Sequence, residues 1–142
     1  MPASAPPSLA AIAVRVETRL GSVLATEHAR WSAFDPDLGG PVDEIRRLVL
    51  SGGKRLRPAF CHWGFVGAGG DPADQRLVDA GAALELMHAF ALFHDDVMDD
   101  AASRRGVPTT HALYAAEHAA AGWAAESRRF GEGVAILVGD LA

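Results

Sequence analysis

The sequence predicts an all-α fold, a helical bundle of which only the N-terminal helices are represented. Apolar residues recur at three- and four-residue intervals along most of the chain, and no segment shows sustained period-two alternation flanked by hairpin turns. Pro, Gly, Ser and Asp stand where helix starts and stops require them. The last stretch, "FGEGVAILVGDLA", begins an apolar segment with no cap or turn signal beyond it, which suggests the front part of something larger.

Residues 1–7, rich in Pro and Ser, read as a flexible tail, so the domain is taken as residues 8–142. Ser8 is a candidate N-cap for a helix to about Arg30, with Ile12, Val16, Leu20, Val23 and Leu24 along one side. "FDPDLGGP" is a loop. "PVDEIRRLVLSGG" opens with Pro, has acids in its first turn and ends in glycines, the polarity of a short helix. Pro58 opens another, through "PAFCHWGFVGA". Asp71 and Pro72 form a cap and first helical position for a long helix to about Asp99. That helix is apolar around much of its circumference and needs neighbours on several sides. "ASRRGVPTTH" reads as a loop, and "HALYAAEHAAAGWAAESRRF" as one Ala-rich helix.

Composition narrows the function. The chain has 142 residues, a net charge of −5, and 49% apolar against 22% charged residues. One domain with a real core fits these values, and whole-chain disorder does not. The acidic balance opposes general nucleic-acid binding, because no basic surplus can displace phosphate counterions. Cys61 is the sole cysteine, so no internal disulfide can form, and a reducing cytoplasm is the simplest location. "MPASAPPS" lacks the pattern of a secretory signal. The apolar runs are interrupted by Arg15, Glu85 and His88, so no membrane span is expected.

The most informative stretch is "FALFHDDVMDDAASRRG". On a helix of about 100° per residue, Glu85, His88, Leu92, Asp95, Asp96 and Asp99 fall within an arc of about 100°. Asp95 and Asp99 lie one turn apart, so their carboxylates can converge. Like charges at that spacing repel, and the helix C-terminus disfavours them further. Carboxylates combined with substrate phosphates and waters are the usual surroundings of Mg²⁺. A solvated acidic helix end or a loose Ca²⁺ contact accounts for the aspartates alone equally well.

Two basic clusters bear on that choice. In "GGKRLRP", Gly52 and Gly53 let the backbone approach whatever Lys54, Arg55 and Arg57 bind, and such a loop suits a diphosphate. By itself it could equally be a solvated loop. With Arg104 and Arg105 there are two basic clusters and one acidic cluster, which one chain binding two polyphosphorylated ligands explains economically.

"GGKRLRP", "ALELMHAFALFHDDVMDD…RRGVPTTH" and "AILVGDLA" together resemble the trans-isoprenyl diphosphate synthases, or polyprenyl synthetase family, from about Gly52 to Ala142. The resemblance implies an all-α bundle around a central cavity, a homodimer in full-length form, and Mg²⁺-dependent condensation of isopentenyl diphosphate with an allylic diphosphate. It implies that Asp95, Asp96 and Asp99 form the metal-binding DDxxD motif, with the first and last holding Mg²⁺. Arg104 matches the allylic diphosphate contact and Arg105 the isopentenyl side. Lys54, Arg57 and His88 match further isopentenyl diphosphate ligands, and Gly53 contributes backbone. Lys54, Arg104 and the three aspartates are thereby implicated in catalysis. Without the motif, His88 reads as a core histidine; His94 is taken as structural, Asp100 as solvated, and Glu85 as a partner that could orient His88.

In this family, residues just before the first aspartate set product length. Ala91, one turn before Asp95, would form a small floor under the allylic tail, and the large Phe90 resembles archaeal-type geranylgeranyl synthases; simple core packing is the alternative for Phe90. A second aspartate-rich motif of the family is absent, so the 142-residue chain is expected to be inactive alone. Two other readings stand beside elongation: a non-catalytic prenyltransferase-like partner subunit, and a class I terpene cyclase, for which a second anion site would be superfluous.

Overall fold

A computed structural model describes residues 7–142, and the tail expected over residues 1–7 lies outside them except for Pro7. The all-α expectation holds: six helices and one two-residue ribbon make up the described regular structure beyond a single 3-10 turn. The chain divides into two compact units, one ending at Met87 and the other spanning His88–Ala142.

The first unit contains α1 (Pro7–Phe34), a 3-10 turn (Pro36–Leu38), α2 (Gly39–Val49), α3 (Leu56–Gly67) and the first part of α4 (Gln75–Met98). Leu9, Ile12, Val16, Leu20 and Leu24 are buried at intervals of three and four, forming the apolar stripe of α1. Val42, Ile45 and Val49 repeat that spacing on α2, which packs on α1. The turn between them is set by Asp35, whose carboxylate accepts from the Asp37 N–H at 2.9 Å, followed by Pro36. Gly39 permits close approach there, since a Cβ would lie 2.5 Å from Ser32 Oγ.

Helix boundaries shift by a few residues from expectation. α1 continues past Arg30 to Phe34, and α3 begins at Leu56, ahead of Pro58. α4 starts at Gln75 rather than Pro72, because Asp71 caps a tight turn to Ala73 while Asp74 accepts the Arg76 N–H at 2.9 Å. One expectation is corrected. By length and composition α4 could cross a membrane, with a mean hydropathy of 1.2 over its best 18-residue window. Glu85 still places a charge within that run, where it is buried in an ion pair with Arg55. Leu77, Val78, Ala82, Ala89 and Phe93 are buried in protein, while Met87, Phe90 and Met98 are exposed.

In the second unit the end of α4 is followed by β1 (Ser103–Arg104), β2 (Val107–Pro108), α5 (Thr110–Ala121) and α6 (Ser127–Leu141). The single helix expected from His111 to Phe130 is broken at Gly122, whose φ of 65° supplies a left-handed C-cap. Glu126 then caps α6 by accepting the Arg128 and Arg129 N–H groups, each at 3.0 Å. His118 seals this corner. Its ring meets Trp123 and Phe130 at centroid distances of 5.7 and 4.8 Å. Its nitrogens reach Ser127 Oγ and the Ala124 carbonyl at 3.1 and 3.0 Å.

α6 packs through small residues at intervals of four: Gly131, Ala135 and Gly139 are all buried. A Cβ on Gly131 would run into the His111 carbonyl and Ala115 of α5. One on Gly139 would lie 2.7 Å from the His94 ring and 3.0 Å from Phe93 Cβ on α4.

This geometry separates two chemically identical substitutions. Gly131→Ala should destabilise the protein by about 1–3 kcal/mol, because backbone atoms must move aside. Gly133→Ala, with nothing within 4 Å, should be neutral or stabilising by up to about 1 kcal/mol through helix propensity. Denaturant unfolding followed by circular dichroism checks both, and equal effects would refute the close packing of α5 on α6.

Candidate functional site: an anion loop and an acidic helix end

The "GGKRLRP" segment leaves α2 and enters α3 within the first unit. Gly52 and Gly53 have φ of 91° and 157°, a region that side chains rarely tolerate. Arg55 is left-handed as well, at φ 49°. The result divides the basic residues. Lys54 and Arg57 are exposed, whereas the Arg55 side chain is only 4% exposed. Arg55 Nη1 donates to Glu85 Oε2 of α4 at 2.6 Å, Nε to Glu17 Oε1 of α1 at 2.9 Å, and Nη2 to the Val49 carbonyl at 2.7 Å. The expectation that Arg55 serves a ligand beside Lys54 and Arg57 is therefore corrected, since its donors face the protein. Glu85, considered as an orienting partner of His88, is engaged with Arg55.

The second unit holds the aspartates, where α4 ends in a Schellman motif. The Ala101 N–H reaches the Asp96 carbonyl at 3.0 Å, and the Asp100 N–H reaches that of Val97 at 3.2 Å. Asp100 takes the left-handed position at φ 50°, which Asp tolerates better than most residues. Beyond it, Ser103 pairs with Pro108 and Arg104 with Val107 in an antiparallel ribbon. The two turn residues, Arg105 and Gly106, have φ of 52° and 81°, the signature of a type I′ hairpin. Thr109 anchors its base by donating from Oγ1 to the Ala101 carbonyl at 2.7 Å.

The hairpin returns Arg104 to α4. Its Nε donates to both oxygens of Asp96 at 2.9 and 3.1 Å, and Nη2 lies 2.8 Å from Oδ1. The Asp96 hydrogen bond is the main influence holding the Arg104 guanidinium above its ordinary range, with the charges of Asp95 and Asp99 adding to it. The three aspartates are thus not equivalent. Asp96 is 5% exposed and paired, while Asp95 and Asp99 remain exposed one turn apart. Among the described residues no three His, Cys, Asp or Glu side chains converge as a closed metal cage. Two exposed carboxylates on one face suit instead a hard cation that completes its shell with ligand oxygens and water, as Mg²⁺ does.

Other candidates fall around this end of α4. His88 is half-buried. Phe90 is 43% exposed, with its ring 4.4 Å from that of His94. Ala91 is exposed. His94 has a structural setting, with Nδ1 2.8 Å from the Phe90 carbonyl and Nε2 3.3 Å from Asp140. Asp100 is exposed yet lies 3.3 Å from Arg128, a partner that the expectation of a merely solvated group missed.

The family model for polyprenyl synthetase matches residues 42–142. The chain is 37% identical over 120 residues to a short chain isoprenyl diphosphate synthase of Methanothermobacter thermautotrophicus, covering 84% of this chain and 31% of that protein. It is 42% identical over 94 residues to a geranylgeranyl diphosphate synthase of Sulfolobus acidocaldarius, covering 66% and 23%. The fold matches the crystal structure of geranylgeranyl pyrophosphate synthase from Corynebacterium glutamicum, complexed with isoprenyl diphosphate and magnesium. That match has a TM-score of 0.80 at 35% identity, over 89% of this chain and 36% of the other. The chain thus spans about a third or less of the length of these proteins. Over that span, its motifs, its all-α isoprenoid synthase fold and the family match agree, and the chain belongs to the polyprenyl synthetase family.

Proposed function

We propose that the protein is a Mg²⁺-dependent prenyltransferase that condenses isopentenyl diphosphate with an allylic diphosphate into a longer trans-polyprenyl diphosphate. The observation that carries this reading is the division of labour among the aspartates. One is buried against Arg104, and two are left exposed at a spacing that suits a divalent cation shared with a diphosphate.

Asp95 and Asp99 would hold Mg²⁺, which supplies Lewis-acid neutralisation of the departing diphosphate. Asp96 keeps Arg104 in place beside them, and Arg104 offers the part of its guanidinium still open to solvent, its side chain being 31% exposed, to the allylic diphosphate. Arg105 at the hairpin tip, Lys54, Arg57, His88 and the Gly53 backbone would bind isopentenyl diphosphate. In the reaction, the isopentenyl double bond forms a new bond to the allylic carbon, inorganic diphosphate leaves, and loss of a proton restores a double bond. Lys54 and Arg57 fix the nucleophile's anionic end, so its alkene is presented rather than free to tumble. Ala91 would leave room for the growing tail and Phe90 would bound it, in keeping with a product in the geranylgeranyl range. A homodimer and a cytoplasmic location complete the proposal.

Three outcomes test it in the full-length protein. Asp95→Ala or Asp99→Ala should each lower kcat by about 10²-fold and raise the Mg²⁺ concentration needed for half-maximal rate; full activity in either would exclude the metal role. Replacing Lys54 and Arg57 together by Ala should raise KM for isopentenyl diphosphate with little change in allylic KM. No effect there would favour cyclisation of a single diphosphate over elongation. Finally, Ala91→Phe should shorten the main product by at least one isoprene unit, read by chromatography of the dephosphorylated alcohols.

A further inference from the structure

Arg55 has the composition of a ligand-binding residue and the surroundings of a structural one. It stands between the two exposed basic residues of the anion loop, yet three of its donors are spent on three different elements: Glu17 on α1, the Val49 carbonyl at the end of α2, and Glu85 on α4. It adopts a left-handed backbone that is uncommon for a residue with a side chain, directly after two glycines with positive φ. A chain with that much backbone freedom at Gly52 and Gly53 has no reason to hold one conformation unless something fixes it. A Cβ built on Gly53 would meet only Arg55 Nη1, at 3.9 Å, so the segment is not wedged between neighbours at that point.

We infer that Arg55 is a positioning residue: its fork, locked between Glu17, Glu85 and the Val49 carbonyl, sets the loop so that Lys54 and Arg57 are presented to the diphosphate of isopentenyl diphosphate. The inference rests on the proposed function and deepens it. The geometry of guanidinium matters here beyond its charge. Lysine could reach one of these acceptors but not three in a plane, so it would keep the buried charge compensated while releasing α1 and the α2 end. Glu17 offers a milder change, because its side chain is 41% exposed and its removal leaves no buried charge without a partner. Glu85 is the partner to leave alone, being 7% exposed and dependent on Arg55.

The test compares wild type, Arg55→Lys, Glu17→Ala and Lys54→Ala in the full-length protein, by steady-state kinetics and by hydrogen–deuterium exchange. Arg55→Lys is expected to raise KM for isopentenyl diphosphate about tenfold, with allylic KM and kcat within about twofold. Amides of residues 52–57 should exchange faster while those of Ile12–Leu24 do not. Glu17→Ala should show the same pattern to a smaller degree, and it decides the matter if Arg55→Lys does not fold. Unchanged KM and unchanged loop exchange in the folded variants, with Lys54→Ala still impaired, overturn the positioning role alone. Faster exchange throughout α1 and α4 also overturns it, since Arg55 would then be holding the unit rather than the loop. A wild type that does not saturate with isopentenyl diphosphate, or a Lys54→Ala variant without effect, overturns the functional reading beneath it.

Discussion

A charge removed from water must be met by another, and this constraint organises both units. Helix α4 carries two carboxylates that are nearly inaccessible, Glu85 and Asp96, at 7% and 5% exposure. Taking a carboxylate out of water is costly unless a hydrogen-bonded cation meets it, and removing a partner from a buried pair commonly costs several kcal/mol. Each partner is an arginine from a loop, Arg55 between α2 and α3 and Arg104 in the hairpin after α4. Arg55 draws the Gly-rich basic loop onto α4 in the first unit, and Arg104 draws the hairpin onto α4 in the second. The long apolar helix is the scaffold, but its two buried acids determine what is hung upon it.

The turns that deliver those arginines use strained backbone. Four described residues other than glycine have positive φ, and three of them are Arg55, Asp100 and Arg105. Each such residue costs on the order of 1 kcal/mol, so the ion pairs must more than offset the backbone they require. The arrangement also has a directional consequence. Asp100 in the left-handed position ends α4 in a Schellman turn, and the type I′ turn at Arg105–Gly106 reverses the chain after two residues. Arg104 therefore returns to the carboxylate only eight residues before it, while Arg105 is carried at the tip.

Much of this was legible in the sequence, and the parts that were not share a cause. The α1 stripe from Ile12 to Leu24, the long apolar helix and the one-turn spacing of Asp95 and Asp99 follow from helical periodicity, which local sequence records directly. The hairpin at 103–108 reads as a loop in the sequence because its strands are too short for any alternation, and Arg-Gly is a weaker turn signal than Asn-Gly. Arg55 is indistinguishable from Lys54 and Arg57 by composition, which does not tell which basic side chain turns inward; its partners lie 38 and 30 residues away in the chain. The break at Gly122 is masked by the alanines on both sides, whose helix propensity outweighs one glycine. In each case a distant contact or a backbone angle, rather than a local preference, decided the outcome.

The non-equivalence of the aspartates follows from helix geometry alone. Asp95 and Asp99, four residues apart, project about 40° from each other, whereas Asp96 is rotated about 100° from Asp95 and 60° from Asp99. A single helix can therefore turn the middle carboxylate into protein while the outer two stay in solvent, as their burial shows. Had Arg104 paired with Asp95 or Asp99 instead, it would have neutralised one of the two exposed carboxylates proposed to hold the cation. By spending Arg104 on Asp96, it relieves part of the like-charge repulsion at the helix end, where the dipole is also unfavourable. Two exposed negative charges remain side by side. That pair is the feature of this helix end whose cost would fall most if a divalent cation bound between the two carboxylates.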